Sequence, residues 1–399
     1  MLYRKLITST NSSIYNTVGE KSIPRMITFQ YRLYPTKEQQ IKLWQHANQL
    51  NWLYNYFLNQ RIENYKNGIK IGRKEQQAEL ISLKANNTIL NEMYSQVLQQ
   101  VPLRLDRSYQ SFFRRVKAKE TSGFPKFRSC RNFFGICYPQ SGFKIENGIF
   151  QTKVYGRMSF VQHQDLKGQI KQVSISNKNN KFYLNITTDH IETTKASGSI
   201  GIDIGLKHLV VATDGLKIKN RTDSKYFDKQ IAKIQSRKDQ VVKGSRKYKF
   251  LKKVVNRLYD AKVRKINDYQ HKVSKTLGST YDTIYAEDLS VKSMSEGKWT
   301  NLNRSIRNAK LAQFLSFLSY KTNHLVLVNP RNTSKTCNSC GKIHIDLKLS
   351  DRTITCSCGK VYDRDENAAQ NVFCLGQAMM DQPSYVGSMT IQEALAFRR

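Results

Sequence analysis

Two cysteine pairs near the C-terminus constrain the fold of this chain more than any other feature. Cys337 and Cys340 are separated by two residues, and Cys356 and Cys358 by one. Four thiols at such spacing can hold Zn²⁺ as thiolates in a closed tetrahedral site, which leaves no position open for chemistry. The sequence therefore predicts a structural zinc site on these four cysteines, with His344 as an alternative ligand.

The other cysteines and the hydropathy pattern indicate the compartment. Cys130, Cys137 and Cys374 match no common metal spacing, and we interpret them as ordinary thiols. A disulfide framework usually marks small secreted chains, so paired cysteines in a chain of 399 residues favour metal binding in a reducing compartment. The sequence contains no run of about 18 apolar residues and no apolar signal core. We expect an intracellular, cytoplasmic protein that has no membrane partner.

The charge of the chain points to its partner. There are 66 lysines and arginines against 30 aspartates and glutamates, which gives a formal net charge of +36. A fold with this charge repels itself unless a polyanion or counterions neutralise it, which favours nucleic acid as the partner. The alternative is a basic, solvated surface or a structural protein of the ribosomal type.

Basic residues also cluster on predicted helices. Two long helices are predicted over residues 222–277, with an apolar stripe on one face and a basic face, which includes Lys262 and Lys265, on the other. A face of one sign is expected to lie along phosphates. The residues that we predict to contact nucleic acid are Arg114, Arg115, Lys126, Lys252, Lys253, Arg257, Arg264 and Lys335.

Three carboxylates lie in contexts that suit a second, catalytic metal site. Asp203 and Glu287 belong to strand-like segments, and Asp365 starts a predicted helix. Hydrolysis of a phosphodiester with two metal ions requires several carboxylates that converge on ions about 3.5–4 Å apart. Side chains alternate along a strand, so Asp203 shares a face with Gly201 and Gly205, which we expect to leave room for metal and phosphate.

Each carboxylate also has an ordinary structural interpretation. Asp365 could cap a helix, Glu287 could be a surface charge at a strand end, and Asp203 could start a turn. Taken singly, these interpretations are the simpler ones. The order of the three carboxylates, with the cysteine pairs directly before Asp365, is more specific and favours a metal-dependent nuclease.

The hydrophobic pattern predicts a multi-domain chain. A capping box at Thr36 and Gln39 begins a helix after the first strand, and turns are predicted at Asn147-Gly148 and Asn177–Asn180. The helical stripe that we expect to face the core, rather than to stack on nucleobases, comprises Trp44, Ala47, Leu50, Tyr54 and Phe57. The predicted segments are a disordered extension (1–25), a strand that begins at Ile27 and is ended by Pro35, helices to about Lys117, strands (133–192), a linker (193–198) and an α/β domain after it.

An ordered set of short motifs resembles the transposon-encoded TnpB family, whose members are RNA-guided DNA endonucleases related to the type V CRISPR effectors. The resemblance covers roughly residues 26–375. The motifs are Tyr31–Pro35, Ser111–Val116, Gly123–Phe127, Gly201–Gly205, Glu287–Leu289, Thr333–Cys337 and Asp363–Asn371.

The resemblance implies a fold and a site. Asp203, Glu287 and Asp365 match the catalytic triad of the family, which works with Mg²⁺, in all three positions. The implied fold is multi-domain α+β, with a wedge-like β-barrel (26–35 and 118–192), a helical recognition insertion (36–117), an RNase H-like RuvC domain (199–332 and 363–375), a zinc-binding insertion (333–362) and a variable tail (376–399).

The resemblance also implies the reaction. We expect an RNA-guided, Mg²⁺-dependent DNA endonuclease of an insertion sequence that binds a guide RNA from the transposon end and double-stranded target DNA. It would cut the single strands exposed in that complex, next to a short flanking motif. One alternative is a transposase or resolvase-like nuclease that acts without RNA. Another is a guided repressor whose carboxylates are silent, although the family members of that kind have lost acidic triad residues.

Overall fold

The computed structural model describes residues 26–189, 195–221, 224–289, 300–348 and 351–381. The described residues up to 189 form an N-terminal unit, and those from 195 onward form a C-terminal unit. The predicted extension at 1–25, the first two residues of the predicted linker and the tail beyond 381 lie outside the described residues.

The N-terminal unit combines four helices with an antiparallel sheet among the residues described. Its seven strands follow the spatial order β2-β6-β7-β1-β5-β4-β3. Its elements are β1 (Ile27–Tyr34), α1 (Lys37–Lys66), α2 (Arg73–Ala85), α3 (Thr88–Glu92), α4 (Ser95–Lys117), β2 (Ile136–Tyr138), β3 (Lys144–Glu146), β4 (Ile149–Thr152), β5 (Gly156–Val161), β6 (Ile170–Lys178) and β7 (Lys181–Thr188).

The sheet of the N-terminal unit is a half-barrel, whereas the resemblance implied a wedge-like β-barrel. β2 and β3 lie at its two edges and do not pair with each other, and each is only three residues long. The predicted turns are confirmed at Asn147-Gly148 and at Asn179-Asn180, because both residues of each pair have positive φ. This is the backbone that a two-residue hairpin with right-handed strand twist requires.

The predicted start of α1 and its core-facing stripe are confirmed. The hydroxyl of Thr36 accepts from the Gln39 amide at 3.2 Å, and the Gln39 side chain accepts from the Thr36 amide at 2.9 Å. These two bonds satisfy donors that the first turn of a helix leaves unpaired. In the stripe, Trp44 is half-buried and packs on the core, while Ala47, Leu50, Tyr54 and Phe57 are buried.

The C-terminal unit is built on a five-stranded mixed sheet of order β10-β9-β8-β11-β12, in which β8, β11 and β12 are parallel. The insertion between β12 and the last helix carries a two-stranded hairpin. The elements are β8 (Ser199–Asp203), β9 (His208–Ala212), β10 (Lys217–Lys219), α5 (Ser224–Asp239), α6 (Arg246–Thr280), β11 (Thr283–Glu287), α7 (Thr300–Ala309), α8 (Leu311–Lys321), β12 (His324–Val328), β13 (Thr353–Thr355), β14 (Val361–Asp363) and α9 (Arg364–Asp381).

Helices cover both faces of this sheet. α6 and α8 pack on one face through residues such as Leu277 and Phe314, which join Ile202 and Ile284 in one core. On the other face, Val372 and Leu375 of α9 pack against residues of β11 and β12. The strands therefore bury both faces, which explains why their sequences are almost continuously apolar.

Three details refine the sequence interpretation of this unit. The two predicted basic helices are confirmed as α5 and α6, but Lys262 does not belong to the exposed basic face. It is only 4% exposed, and its ammonium contacts Asp228 at 2.7 Å and the side-chain oxygen of Asn308 at 3.0 Å.

α9 continues to Asp381, past the expected domain end at residue 375. No helix among the described residues is long and apolar enough to cross a membrane.

Candidate active site and zinc centre

Asp203 and Glu287 lie at the same edge of the parallel part of the sheet. Asp203 is the last residue of β8, and Glu287 is the last residue of β11. The two strands are adjacent, with Ala286 opposite Ile202, so each acidic residue follows a paired position. The carboxyl ends of parallel strands are where open α/β sheets place their ligands.

Asp365 reaches this edge from α9. The Cβ position of Gly201, which shares a face of β8 with Asp203, lies against Ala369 and Phe373 of α9. Ala369 is one helical turn after Asp365, and Asp203 is two residues beyond Gly201, so the first turn of α9 lies beside the end of β8. α9 therefore determines how far Asp365 is from the two strand carboxylates.

The capping role that Asp365 could have had belongs to Asp363. One carboxylate oxygen of Asp363 accepts from the amide of Asp365 at 2.9 Å and from the amide of Glu366 at 3.2 Å. A side chain that caps the first turn in this way is fully engaged. Asp365 is therefore not the capping residue, and its negative charge acts on Asp203 at the end of β8.

Asp203 is close enough to the other two carboxylates for their charges to act on it. Burial raises the pKa of Asp203 well above its ordinary value, and the negative charges of Glu287 and Asp365 raise it further. Burial also raises the pKa of Glu287, which is only 8% exposed, while a hydrogen bond from Thr333 acts in the opposite direction. A cation placed among these groups would relieve both the mutual repulsion and the cost of burial.

The positively charged side chain of Arg352 contacts one of the three carboxylates, that of Asp365. Nη1 of Arg352 lies 3.0 Å from Oδ1 of Asp365 and 3.2 Å from Oδ2. Arg352 directly precedes β13, and its backbone carbonyl accepts a hydrogen bond from the Arg364 amide at 2.7 Å. The hairpin of the insertion therefore places Arg352 beside the start of α9. Sequence analysis missed Arg352, because nothing in its local pattern shows that β13 and β14 pair at this register.

The glycines beside Asp203 do not have the role that we expected. A Cβ atom at Gly201 would lie 2.6 Å from the carbonyl oxygen of Ala369, and one at Gly205 would lie 3.1 Å from that of His208. Gly201 therefore makes room for α9 rather than for metal and phosphate. Only the absence of a side chain at this position lets α9 approach β8 so closely.

Two asparagines of α9 tie the helix to the cysteine-containing insertion. The Asn367 side chain donates to the carbonyl of Thr336 at 2.7 Å, and that of Asn371 donates to the carbonyls of Thr333 and Thr336 at 2.8 and 2.7 Å. Both asparagines are buried. Thr333 in turn donates its hydroxyl to Glu287. The start of the insertion is thus bonded to α9 and to one of the three carboxylates.

The four cysteines converge as the sequence predicts. Their sulfurs all lie within 4.8 Å of one another, with Cys337 and Cys358 at 3.9 Å and Cys340 and Cys356 at 3.5 Å. A tetrahedral ion with Zn–S bonds of about 2.3 Å separates its sulfurs by about 3.8 Å. The cluster therefore fits structural zinc, and the alternative ligand His344 is not part of it.

The residues that we predict to contact nucleic acid differ in their exposure. Arg115 and Lys335 are half-buried, and the others are exposed. The exposed set comprises Arg114, Lys126, Lys252, Lys253, Arg257 and Arg264.

Three family models match successive parts of the chain. A model described as "Helix-turn-helix domain" matches residues 26–70, one described as "Probable transposase" matches 177–297, and one described as "Cas12f1-like, TNB domain" matches 312–372. The first description does not fit the structure, because residues 26–70 form β1 and the single long helix α1.

Two relatives that cover most of the chain, and one that covers less than half of it, have names of the same kind as these family models. The chain is 27% identical over 383 residues to the "Putative RNA-guided DNA endonuclease InsQ" of Escherichia coli K12, covering 89% of this chain and 94% of that protein. A protein of Streptomyces pristinaespiralis called "Putative RNA-guided DNA endonuclease" is 28% identical over 366 residues, covering 88% and 89%. A "TnpB-like protein" of Methanocaldococcus jannaschii is 32% identical over 190 residues, covering 43% and 66%. The chain belongs to the TnpB family.

The fold of this TnpB family member has a counterpart among solved structures. A Cas12f1 chain, solved in complex with sgRNA and target DNA, superposes with a TM-score of 0.56 at 14% identity, covering 87% of this chain and 98% of the other. At this identity the similarity shows the fold alone. The chain therefore has a Cas12-like multi-domain α/β fold with a half-barrel sheet and a four-cysteine cluster.

Proposed function

We propose that this protein is an RNA-guided, Mg²⁺-dependent DNA endonuclease of an insertion sequence. The observation that carries the proposal is the meeting of three interacting carboxylates, Asp203, Glu287 and Asp365, at the carboxyl edge of a parallel sheet. The relatives that cover most of the chain, and whose names describe RNA-guided DNA endonucleases, support the substrate class.

The proposal gives each part of the chain a role. The half-barrel and helices of the N-terminal unit would be the wedge and recognition parts, and the five-stranded sheet of the C-terminal unit would be the RNase H-like, RuvC-type nuclease domain. Its zinc-binding insertion would lie within residues 333–362. The order of the strands, in which β9 is antiparallel to its neighbours β10 and β8 while β8, β11 and β12 are parallel to one another, supports this assignment.

The residues of the site fit Mg²⁺, because carboxylate oxygens are the ligands that this ion prefers. Asp203, Glu287 and Asp365 would hold the ions, and their mutual repulsion makes the site selective for cations. When bound, Mg²⁺ would supply Lewis acidity for the phosphodiester and would lower the pKa of the attacking water.

The remaining residues of the site act on these three carboxylates. Thr333 orients the carboxylate of Glu287 through its hydroxyl, while Asn371 holds the backbone of Thr333. Arg352 occupies Asp365 and would have to move when a metal ion binds there, which leaves its guanidinium free to contact a phosphate. The zinc-binding insertion thus positions the catalytic groups without taking part in the chemistry.

The partners follow from the charge and the relatives. A net charge of +36 suits a protein that holds a guide RNA from the transposon end together with target DNA. Base pairing between guide and target would supply sequence selection, and the protein would read only a short motif beside the target.

The proposal is tested by expressing the protein with its flanking locus and supplying a plasmid library that carries one guide-matched target beside randomised bases. Mg²⁺-dependent cutting at one flanking motif, which is lost in Asp203→Ala, is the expected result. Cutting by protein freed of RNA would support the transposase-like alternative. Specific target binding with no cutting by the wild-type protein would support the repressor.

A further inference from the structure

The C-terminal half of α4 and the segment after it carry a group of aromatic rings, of which Tyr109 packs partly against the core of the N-terminal unit and the others lie outside that core. Here the aromatic patch means Tyr109, Phe112, Phe113 and Phe124. Phe113 is 59% exposed and Phe124 is 47% exposed. In contrast, the first half of α4 buries Val97, Leu98, Val101 and Leu105 completely or nearly so. Apolar rings that gather at the surface usually mark an interaction site.

The rings of the aromatic patch hold one another in place. Phe113 stacks on Tyr109 at a centroid distance of 6.1 Å, and Phe124 meets the edges of Tyr109 and Phe112 at 5.6 and 5.4 Å. The guanidinium of Arg61 lies 5.1 Å from the Tyr109 ring and also contacts Asp106 at 3.3 Å. The patch is therefore a preorganised surface, and little side-chain entropy remains to be lost when a flat ligand binds.

The surroundings of the aromatic patch are strongly basic. Residues 107–128 contain seven lysines and arginines and a single acidic residue, Glu120. Arg114, Lys117 and Lys126 are exposed next to the aromatic residues in the chain. Exposed rings interleaved with positive charges suit a single-stranded polynucleotide, because the rings stack on bases while the charges neutralise phosphates.

We propose that the aromatic patch stacks on unpaired bases of the guide RNA, an inference that rests on the proposed function. RNA is favoured over DNA because duplex DNA presents bases that are already paired and stacked, whereas RNA recognition by proteins targets unpaired bases in loops and at ends. The basic surroundings favour a polynucleotide over an apolar protein partner, which would gain nothing from so many positive charges.

The test is binding of the full chain to a fluorescein-labelled, single-stranded RNA of mixed sequence of about 20 nucleotides, in EDTA so that no metal is needed. Phe113→Leu and Phe124→Leu remove a ring but keep an apolar side chain. The matched control is Tyr65→Leu, which removes a ring that is 78% exposed on α1. Thermal unfolding checks that all variants remain folded.

We expect each patch variant to bind the RNA at least about fivefold more weakly, because stacking of a base on an aromatic ring contributes about 1–3 kcal/mol. The control should bind as the wild type does. In addition, 2-aminopurine in the RNA should be quenched by the wild-type protein and less by the variants. An RNA with abasic sites should bind all of these proteins with similar affinity.

Three outcomes would overturn the inference. Wild-type affinity in both patch variants would show that the rings serve another purpose, such as docking of a protein. An equal loss with single-stranded DNA of the same sequence would assign the patch to an unwound DNA strand. An equal loss with the control would show a general effect of exposed rings. None of these three outcomes bears on DNA cutting, so the proposed function would stand. Absence of RNA binding by the wild type would instead refute the proposed function itself.

Discussion

Replacing Gly201 by alanine should damage the candidate site without touching any of its carboxylates. The new Cβ atom would lie 2.6 Å from the carbonyl oxygen of Ala369 and 2.6 Å from Cβ of Phe373, both on α9. Ordinary contacts between such atoms lie near about 3.5 Å, so α9 must move away from β8 by about 1 Å. Overpacking of this kind costs about 1–3 kcal/mol of unfolding free energy.

The displacement of α9 should matter more for cleavage than for folding. Asp365 belongs to α9 and moves with it, while Asp203 and Glu287 stay on the sheet. A misplacement of about 1 Å in a preorganised site can reduce the rate about 100-fold. We therefore expect Gly201→Ala to cleave target DNA roughly two orders of magnitude more slowly than the wild type while it still folds.

The assay pairs urea unfolding with single-turnover cleavage of a guide-matched plasmid. Gly135→Ala is the matched control, because a Cβ atom there has its nearest neighbour at an ordinary 3.5 Å. The control should change neither quantity. A Gly201→Ala protein that loses stability yet cuts at the wild-type rate would refute the argument that α9 positions Asp365 for the reaction.

Other consequences of the structure can be measured directly. Zinc removal by a chelator, or Cys356→Ser, should lower the unfolding temperature by roughly 5 °C or more, whereas Cys130→Ser, outside the cluster, should not; unchanged stability after chelation would contradict a structural zinc site. Arg352→Gln should tighten Mg²⁺ binding about two- to fivefold in calorimetry, because the metal ion no longer has to displace the arginine from Asp365 and a half-exposed ion pair contributes at most about 1 kcal/mol. An unchanged Mg²⁺ affinity would exclude competition between the arginine and the metal ion. Asp203→Asn should stabilise the metal-free protein at pH 7 by at least about 1 kcal/mol, because burial raises the pKa of Asp203 above its ordinary 3.8. Ionisation of Asp203 therefore lowers the free energy of unfolding of the wild type increasingly as the pH rises, and below about pH 4 it has no effect on stability. Equal stability of variant and wild type across that range would contradict this assignment.

Local sequence patterns predicted the local structure well. The capping box at Thr36 and the turn at Asn179 were predictable because each is completed within a few residues. The strands that end in Asp203 and Glu287 were also predictable, since a strand buried on both faces is apolar throughout. The order of the carboxylates and cysteine pairs then indicated a site, although no local rule predicts that they meet.

What the sequence did not predict depends on contacts between distant segments. The space at Gly201 belongs to α9, which lies more than 160 residues later in the chain. Arg352 reaches Asp365 only through the pairing of β13 and β14, and Asn371 is buried against the insertion although asparagine is usually exposed. Lys262 belongs to a basic run in the sequence, yet it is buried and its ammonium contacts Asp228 on α5.

The most direct test of the central claim is cleavage of a guide-matched plasmid by the RNA-bound protein with and without Mg²⁺, for the wild type and for Asp203→Asn, Glu287→Gln and Asp365→Asn. These substitutions keep the shape of each side chain while they remove its charge. We predict Mg²⁺-dependent cutting by the wild type and loss of cutting in all three variants, with RNA binding retained. Wild-type cutting by any of the three variants would contradict the assignment of that residue to the active site.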